Sequence, residues 1–446
     1  MSDAELDGTP SESGAATPET GPDVAQRATN GPKRRGRVKR RHTVGKVLLS
    51  TVVALALATG LGVAFLYRHL NGNLEVLDPS AQLSDRPDKV EVEGPREPLN
   101  VLVMGSDTRD GEGNNIDGLT GAGERSDTTI LFHLSADRER AYGVSIPRDL
   151  LVNRPECKTE GGDKIPGGSG VMWNEAFNLG GPACTIQQFE QITGIRLDHF
   201  VKVDFEGFRG MVDAIGGVEM CIPEDIDDPA HAIHIPAGTR KLKGTEALNY
   251  VRERYVVGDG SDIGRMKRQQ AFIASMAHAV VTAGTLARPD RLVRFLDSAT
   301  KSLTVDPGLE NVIKIADLGS QFQGIGLNNI QFITIPVIQA PSDPNRLAWK
   351  QPDADKVWDK LRKDEALTKR LAEGVISAGN VPGGAEEPSA TTSDDPSGDP
   401  SDDPSDDPSD SSSASPSGSP STGSPSPTPE DEAARREALE NAGLCV

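Results

Sequence analysis

Aromatic residues make up only 4% of this chain, and four cysteines are spread over its 446 residues. So few cysteines over that length exclude a disulfide-stapled scaffold. The scarcity of aromatics, beside 47 glycines and 32 prolines, excludes a chain that is packed core throughout. Basic residues are missing between Glu386 and Glu432, where thirteen acidic ones lie. The net charge of −20 therefore belongs largely to one segment, and the chemistry of the rest must be read from local clusters.

What is present divides the chain clearly. Residues 1–43 are Gly, Pro, Ser, Thr and acid followed by seven basic residues in positions 33–41, which reads as a disordered, basic cytoplasmic arm. Residues 44–67 hold an uncharged apolar run, Val47 to Tyr67, long enough to cross a bilayer core of about 30 Å at about 1.5 Å per residue. The basic cluster ahead of it predicts a cytoplasmic N-terminus with all that follows outside. A cleaved signal peptide is the rival, but the run exceeds a typical h-region of about 7–15 residues, so a retained anchor is expected. Residues 68–98, broken by Pro79, Pro87, Pro95 and Pro98, read as a linker. From 99 to 380 the pattern is that of a single α/β domain with a mixed central β-sheet flanked by helices. Strands are expected over 99–104, 128–134, 141–146, 199–205 and 330–335 from alternating or continuous apolar runs. Helices are expected at 186–192, capped by Thr185 with Gln188, at Phe205–Ile215 before Gly216-Gly217, at 246–252, from Asp262 to about 283, and at 353–371. Residues 381–446 are dominated by Asp-Asp-Pro-Ser repeats and read as a disordered tail, its last stretch (430–444) able to form a short charged helix. Cys157 and Cys184 flank a Gly-rich loop and are expected to pair in an oxidising compartment. Cys221, within an apolar run, reads as a buried thiol, and Cys445 has no evident partner.

Arginines collect at the ends of these elements. Arg125 precedes Ser126-Asp127 at a strand start, Arg148 follows Pro147 past a strand, and Arg252 and Arg254 end a helix. Arg265, Arg268 and Gln269 are three and four residues apart, on one side of the long helix. Guanidinium groups so placed suit a multiply charged oxyanion, because Arg meets phosphate bidentately and stays protonated. Asp107 and Asp127 stand at neighbouring strand ends as hard oxygen donors, which suits Mg²⁺ shared with phosphate oxygens. Any one Arg–Asp neighbour is by default a surface ion pair worth under about 1 kcal/mol. Together they define an extracytoplasmic α/β domain with a phosphate site.

The ordered motifs resemble those of the LytR-CpsA-Psr proteins, cell-wall glycopolymer ligases of bacteria, from about Asn100 to Ile335. They are Asn100–Arg109 (NVLVMGSDTR), Arg125–Thr128, Ser145–Asp149 (SIPRD), Asn174–Phe177, Val212–Val218, Gly244–Leu248, Tyr250–Arg254 and Asp262–Gln270. The resemblance implies that Asp107 and Asp127 bind Mg²⁺ with a pyrophosphate. It implies that Arg125, Arg148, Arg252, Arg254, Arg265 and Gln269 clamp that pyrophosphate, with Arg268 at its edge. Asn174 and Lys164 would join the substrate site. Met172 stands where family members often carry a lysine, so Lys164 replaces that charge or the clamp is one cation short. A polyprenyl chain would thread between helices and sheet, giving the Phe205–Ile215 stripe a second use as a pocket wall.

The implied reaction is attack by a peptidoglycan hydroxyl on a polyprenyl-pyrophosphate-linked glycopolymer, releasing polyprenyl phosphate. The implied partners are this lipid-linked donor, the peptidoglycan acceptor and the membrane. A hydrolase using water as acceptor is the alternative. A membrane-bound transcriptional attenuator is a third reading, but no nucleic-acid reader is legible and the motifs lie beyond the anchor.

Overall fold

Residues Arg41–Asn73 form one helix, α1. The computed structural model describes residues 41–107, 126–282, 288–368, 370–372, 374–383 and 429–446. The expectations for residues 1–40, for Arg125 and for residues 384–428 lie outside these. Two compact units meet at Gly62/Val63. In the first, apolar side chains such as Leu48, Leu55 and Leu61 are exposed. The stretch Val44–Asn73 has a mean hydropathy of 2.2 and is long and apolar enough to cross a membrane.

Within the second unit α1 continues past the expected end of the anchor. Leu70 is buried, and His69 Nε2 lies 2.8 Å from a carboxylate oxygen of Asp297. The stretch expected as a linker also joins the fold. Glu75–Val76 forms a sheet strand, Leu77 and Leu83 pack on a core cluster, and Arg86 donates to the buried Glu190 at 2.7 Å. The prolines interrupt any period but leave these apolar and charged anchors in place.

Eight strands make one mixed sheet: β1 (Glu75–Val76), β2 (Leu99–Ser106), β3 (Ser126–Leu134), β4 (Ala141–Ile146), β5 (His199–Val203), β6 (Leu303–Val305), β7 (Ile330–Thr334) and β8 (Ile376–Ser377). Their spatial order is β1-β6-β5-β2-β3-β4-β7-β8. β2, β3 and β4 form an antiparallel meander, while β5 joins β2 and β7 joins β4 in parallel. Parallel neighbours require long crossovers, and these carry the helices.

Successive side chains on a strand face opposite ways. Leu102, Met104 and Leu131 pack with Phe189 of α2 (Glu175–Thr193) and Trp358 of α8 (Asp353–Arg362). Each such burial contributes about 1.5–3 kcal/mol. On the other face stand α3 (Phe205–Ile215), α4 (Gly244–Arg252) and α5 (Asp262–Thr282), with α6 (Pro289–Ser302) and α7 (Val312–Ile325) beyond them in sequence. α3 is delimited by its sequence as expected: the Asp204 carboxylate accepts the Gly207 N–H at 2.7 Å, and Gly216 ends it at φ 91°. α2 is a correction. It begins at Glu175, breaks at Gly180 and Gly181, and continues, so Thr185 lies inside it and donates to the Gly181 carbonyl at 3.1 Å rather than capping.

Cys157 and Cys184 form the expected disulfide. The expectation for the other pair is overturned: Cys221 is bonded to Cys445, 224 residues away. Pro429–Glu440 forms α9, after which Ala442 and Leu444 are buried with Leu439 in the cluster containing Val251, Val257 and Phe272. The end of the expected disordered tail is therefore part of the domain. Cys221 sits in the strand Val218–Ile222, where alternation turns it away from the buried Met220 and Ile222, toward the returning terminus.

Candidate active site

A cavity of ≈ 910 Å³ lies between the sheet and helices α3–α5. Asp127, Arg148, Arg252, Arg254, Arg265 and Gln269 form the polar end of its lining, from which α5 runs on past Arg265 to the apolar Phe272 and Met276. Phe132, Phe205, Phe208 and Met211 extend the apolar lining, with the Phe205 ring directly under Arg252. The volume is at the upper end of the range for small-molecule sites, about 300–1,000 Å³.

The polar end is assembled from breaks in regular structure. Gly105 pairs with Thr128 and Ser106 with Ser126, so Asp127 is the extra residue of a bulge. Arg148 follows β4 and donates from Nη1 to Asp127 Oδ1 at 2.7 Å. Arg252, in the last turn of α4, sits 4.6 Å over the Phe205 ring. Arg254 donates from Nη2 to the Tyr255 hydroxyl at 2.6 Å. Beneath these two arginines the buried Glu253 carboxylate accepts the backbone N–H groups of Arg254, Tyr255 and Val256 at 2.7, 2.6 and 3.4 Å, which fixes the turn. On α5, Gln269 Nε2 donates to the Val251 carbonyl at 3.0 Å, and its Oε1 accepts from Thr128 at 3.3 Å.

Charge in this end is crowded and poorly solvated. Arg265, 3% exposed, pairs with Asp262 on its own helix, and Arg148 Nε lies 3.6 Å from the same carboxylate. Burial pushes the Asp262 carboxyl above the usual range even though Arg265 and Arg148 pull it down. Burial also lowers the Arg265 guanidinium against the pull of Asp262, with Arg148 adding to the fall. Burial opposes the charge on Arg148 too, but Asp127, Asp262 and Asp149 outweigh it, so its pKa is raised. Arg148 Nε, Arg265 Nε and Asp262 Oδ2 are buried without hydrogen-bond partners. An oxyanion would give the two Nε donors an acceptor, whereas the Asp262 oxygen calls for a donor.

Of the expected clamp, Arg148, Arg252, Arg254, Arg265 and Gln269 come together, and Arg125 lies outside the described residues. Four other candidates do not line the cavity: Asp107, which stops just short of it past Gly105 in sequence, and Arg268, Lys164 and Asn174. Arg268 is 1% exposed and turns inward, donating to the carbonyls of Ala442 and Glu253. Lys164 is exposed on a short hairpin and pairs with Glu156 at 2.9 Å, so it does not supply the charge missing at Met172. Asn174 is the N-cap residue of α2, and its N–H donates to the Arg148 carbonyl at 3.3 Å. Glu253 and Asp262 are the site's unforeseen organisers. In sequence Glu253 reads as an ion-pairing neighbour of two arginines, and Asp262 as a helix opener.

Among the described residues no group of three or more His, Cys, Asp or Glu is arranged to hold a metal ion. Asp107 directly follows β2, and Asp127 lies in the bulge of the adjacent β3. Carboxylate oxygens are the donor type that Mg²⁺ takes, with water and substrate phosphate oxygens filling the rest of its shell.

The family model for the LytR_cpsA_psr family matches residues 68–363. Over 265 residues the chain is 32% identical to the Cell wall biosynthesis protein LcpA of Corynebacterium glutamicum, covering 53% of this chain and 50% of that protein. It is 33% identical over 270 residues to the Probable cell wall biosynthesis protein LcpB of the same organism, covering 59% of this chain and 61% of that one. The chain thus spans between half and about three fifths of the length of these curated relatives. The Bacillus subtilis Polyisoprenyl-teichoic acid–peptidoglycan teichoic acid transferase TagV is 26% identical over 330 residues, covering 72% of this chain and 78% of that protein. The matched span contains every element that lines the cavity, and on it the chain belongs to the LytR_cpsA_psr family.

Proposed function

We propose that this protein is a phosphotransferase that moves a glycopolymer from a polyprenyl pyrophosphate to peptidoglycan. The observation that carries the reading is the two-sided cavity, arginine-rich at one end and aromatic and aliphatic at the other. A ligand matching both ends carries several negative charges joined to a long hydrocarbon, and a lipid pyrophosphate is such a molecule. The relative TagV, a polyisoprenyl-teichoic acid–peptidoglycan teichoic acid transferase by name, has donor and acceptor of the same classes.

In the proposed reaction a sugar hydroxyl of peptidoglycan attacks the glycopolymer-side phosphorus. The bond from that phosphorus to the bridging oxygen breaks, the hydroxyl proton passes to the departing phosphate or to solvent, polyprenyl phosphate leaves, and a phosphodiester joins polymer to wall. The protein's task is positioning and charge neutralisation more than nucleophilic chemistry. Arg148 and Arg265 donate to the phosphoryl oxygens from a buried, preorganised cluster, while Arg252 and Arg254 close over them from the turn held by Glu253. The apolar end holds the lipid and excludes water. Asp107 and Asp127 would hold Mg²⁺, which when bound neutralises pyrophosphate charge.

The test is full-length protein in native membranes, supplied with a polyprenyl-pyrophosphate-linked glycan and peptidoglycan. The expected result is Mg²⁺-dependent release of polyprenyl phosphate with equimolar attachment of glycan to the wall fraction. Release without attachment makes the protein a hydrolase. Release in neither form overturns the reading.

A further inference from the structure

Arg268 is a fully buried cation on a catalytic helix, yet it does not reach the cavity. Its Nη1 donates to the Ala442 carbonyl at 2.9 Å and its Nη2 to the Glu253 carbonyl, so one guanidinium joins the chain's last residues to the turn between Arg252 and Arg254. A second bond runs beside it: the Asp259 N–H donates to the Asn441 carbonyl at 2.8 Å. The Asp259 carboxylate accepts the Ser261 N–H at 2.9 Å, and Ser261 Oγ accepts the Gly264 N–H at 2.9 Å, leading directly into the turn of α5 that carries Asp262 and Arg265.

The two backbones touch at a place where only glycine fits. Gly258 has φ 61°, and a Cβ there would stand 2.2 Å from the Asn441 carbonyl oxygen. Gly443 has φ 68°, and its Cβ would stand 2.4 Å from a Val257 methyl. The terminus is then fixed by the Cys221–Cys445 disulfide and the buried Leu444.

We infer that residues Leu439–Cys445 form a positioning strap for the active site, with Arg268 as the positioning residue that transmits it to Arg254 and Arg265. The strap touches none of the reacting groups. It holds the turn 253–260 from beneath, and the disulfide keeps it there although it is connected to the rest of the domain through the low-complexity stretch 384–428. The inference rests on the phosphotransferase reading only for what the oriented arginines do; the orientation itself is measurable without any reaction.

The test separates tether from latch. A site-specific protease sequence is placed within residues 395–410 of the full-length protein and cleaved, which leaves the strap attached by Cys221–Cys445 alone. Cleavage by itself is expected to leave turnover unchanged. Cleavage followed by reductant, which frees the strap, is expected to lower kcat at least tenfold with a smaller change in the donor KM. A synthetic 429–446 peptide added under oxidising conditions restores it. Reduced, uncleaved protein controls for loss of Cys157–Cys184. Hydrogen exchange supplies a readout independent of activity: strap release is expected to raise exchange at the amides of 254–265 while those of β2–β4 stay protected. Unchanged exchange and turnover after release overturn the strap proposal. A protein inactive in every form, but with exchange raised at 254–265, overturns the functional reading and leaves the strap standing.

Discussion

Arg148 has carboxylate oxygens of Asp127, Asp149 and Asp262 at 2.7, 3.5 and 3.6 Å, which is more anionic company than a single guanidinium needs for its own stability. Arg265 is almost wholly buried and pairs with Asp262. Arg294 is the contrast: it is 65% exposed, and its ion pair runs along its own helix to Asp290 at 3.0 Å. Removing one preorganised donor to developing charge costs about 2.7–4 kcal/mol, or roughly 10²–10³ in rate. Arg148→Ala and Arg265→Ala are therefore each expected to lower lipid-phosphate release by that factor, and Arg294→Ala to leave it unchanged, since exposed pairs of this kind are worth under about 1 kcal/mol. Lysine at either site restores only part of the rate, because a point charge lacks the planar fork. Wild-type release by both alanine variants, compared at matched melting temperature, would mean that the phosphate lies elsewhere. At this scale the sequence was legible where residues sit at element ends and misleading within a helix. Positions 265, 268 and 269 look like one face, but at about 3.6 residues per turn the side chain at 268 is rotated about 60° from that at 265. That offset turns Arg268 away from the cavity and into the strap.

Strands and helices whose signal is local were recoverable from sequence: β2, β3 and β4 from their apolar runs, and α3 from its stripe between Asp204 and Gly216. Elements whose placement depends on distant partners were not. Nothing near Cys445 reveals Cys221, and nothing in Glu75-Val76 reveals the β6 edge that it joins. Asp364 is another long-range tie. Its carboxylate accepts the Ala136 N–H at 2.8 Å and lies 3.1 Å from Nε2 of the buried His133, so it pins the segment after α8 to β3 and the turn beyond it. Burial would raise its pKa, but the bonds from His133 and Ala136 outweigh that and hold the carboxyl below its usual range. A depressed carboxylate stabilises the fold above its unfolded pKa of about 3.9, and that contribution is lost as pH falls through the lower folded value. Asp364→Asn is thus expected to cost about 1.5–3 kcal/mol in denaturant unfolding at pH 7. The gap from wild type should narrow as pH falls below the ordinary carboxylate range. A gap that stays constant down to the acid transition would assign the loss to shape rather than charge.

For the whole molecule, charge, apolar length and cysteine chemistry bear on the same question of sidedness. Seven basic residues in positions 33–41 precede an uncharged run from Val47 to Tyr67, and excess Lys and Arg on one flank favours retention of that flank in the cytoplasm. Both disulfides, Cys157–Cys184 and Cys221–Cys445, lie on the other flank, and such bonds persist in oxidising compartments. The α1 side chains of Leu48, Leu55 and Leu61 are exposed to more than half their area, and an apolar surface of that length is suited to lipid. A cytoplasmic domain would have to keep two disulfides in a reducing pool and carry seven cations across the bilayer. The expected outcome is that the chain sediments with membranes, and that protease added to intact protoplasts removes the domain beyond Tyr67. Non-reducing electrophoresis of the released domain should show all four cysteines blocked to alkylation until reductant is added. Survival of the domain in intact protoplasts, together with cysteines that alkylate without reductant, would reverse the orientation and place the cavity where peptidoglycan cannot reach it.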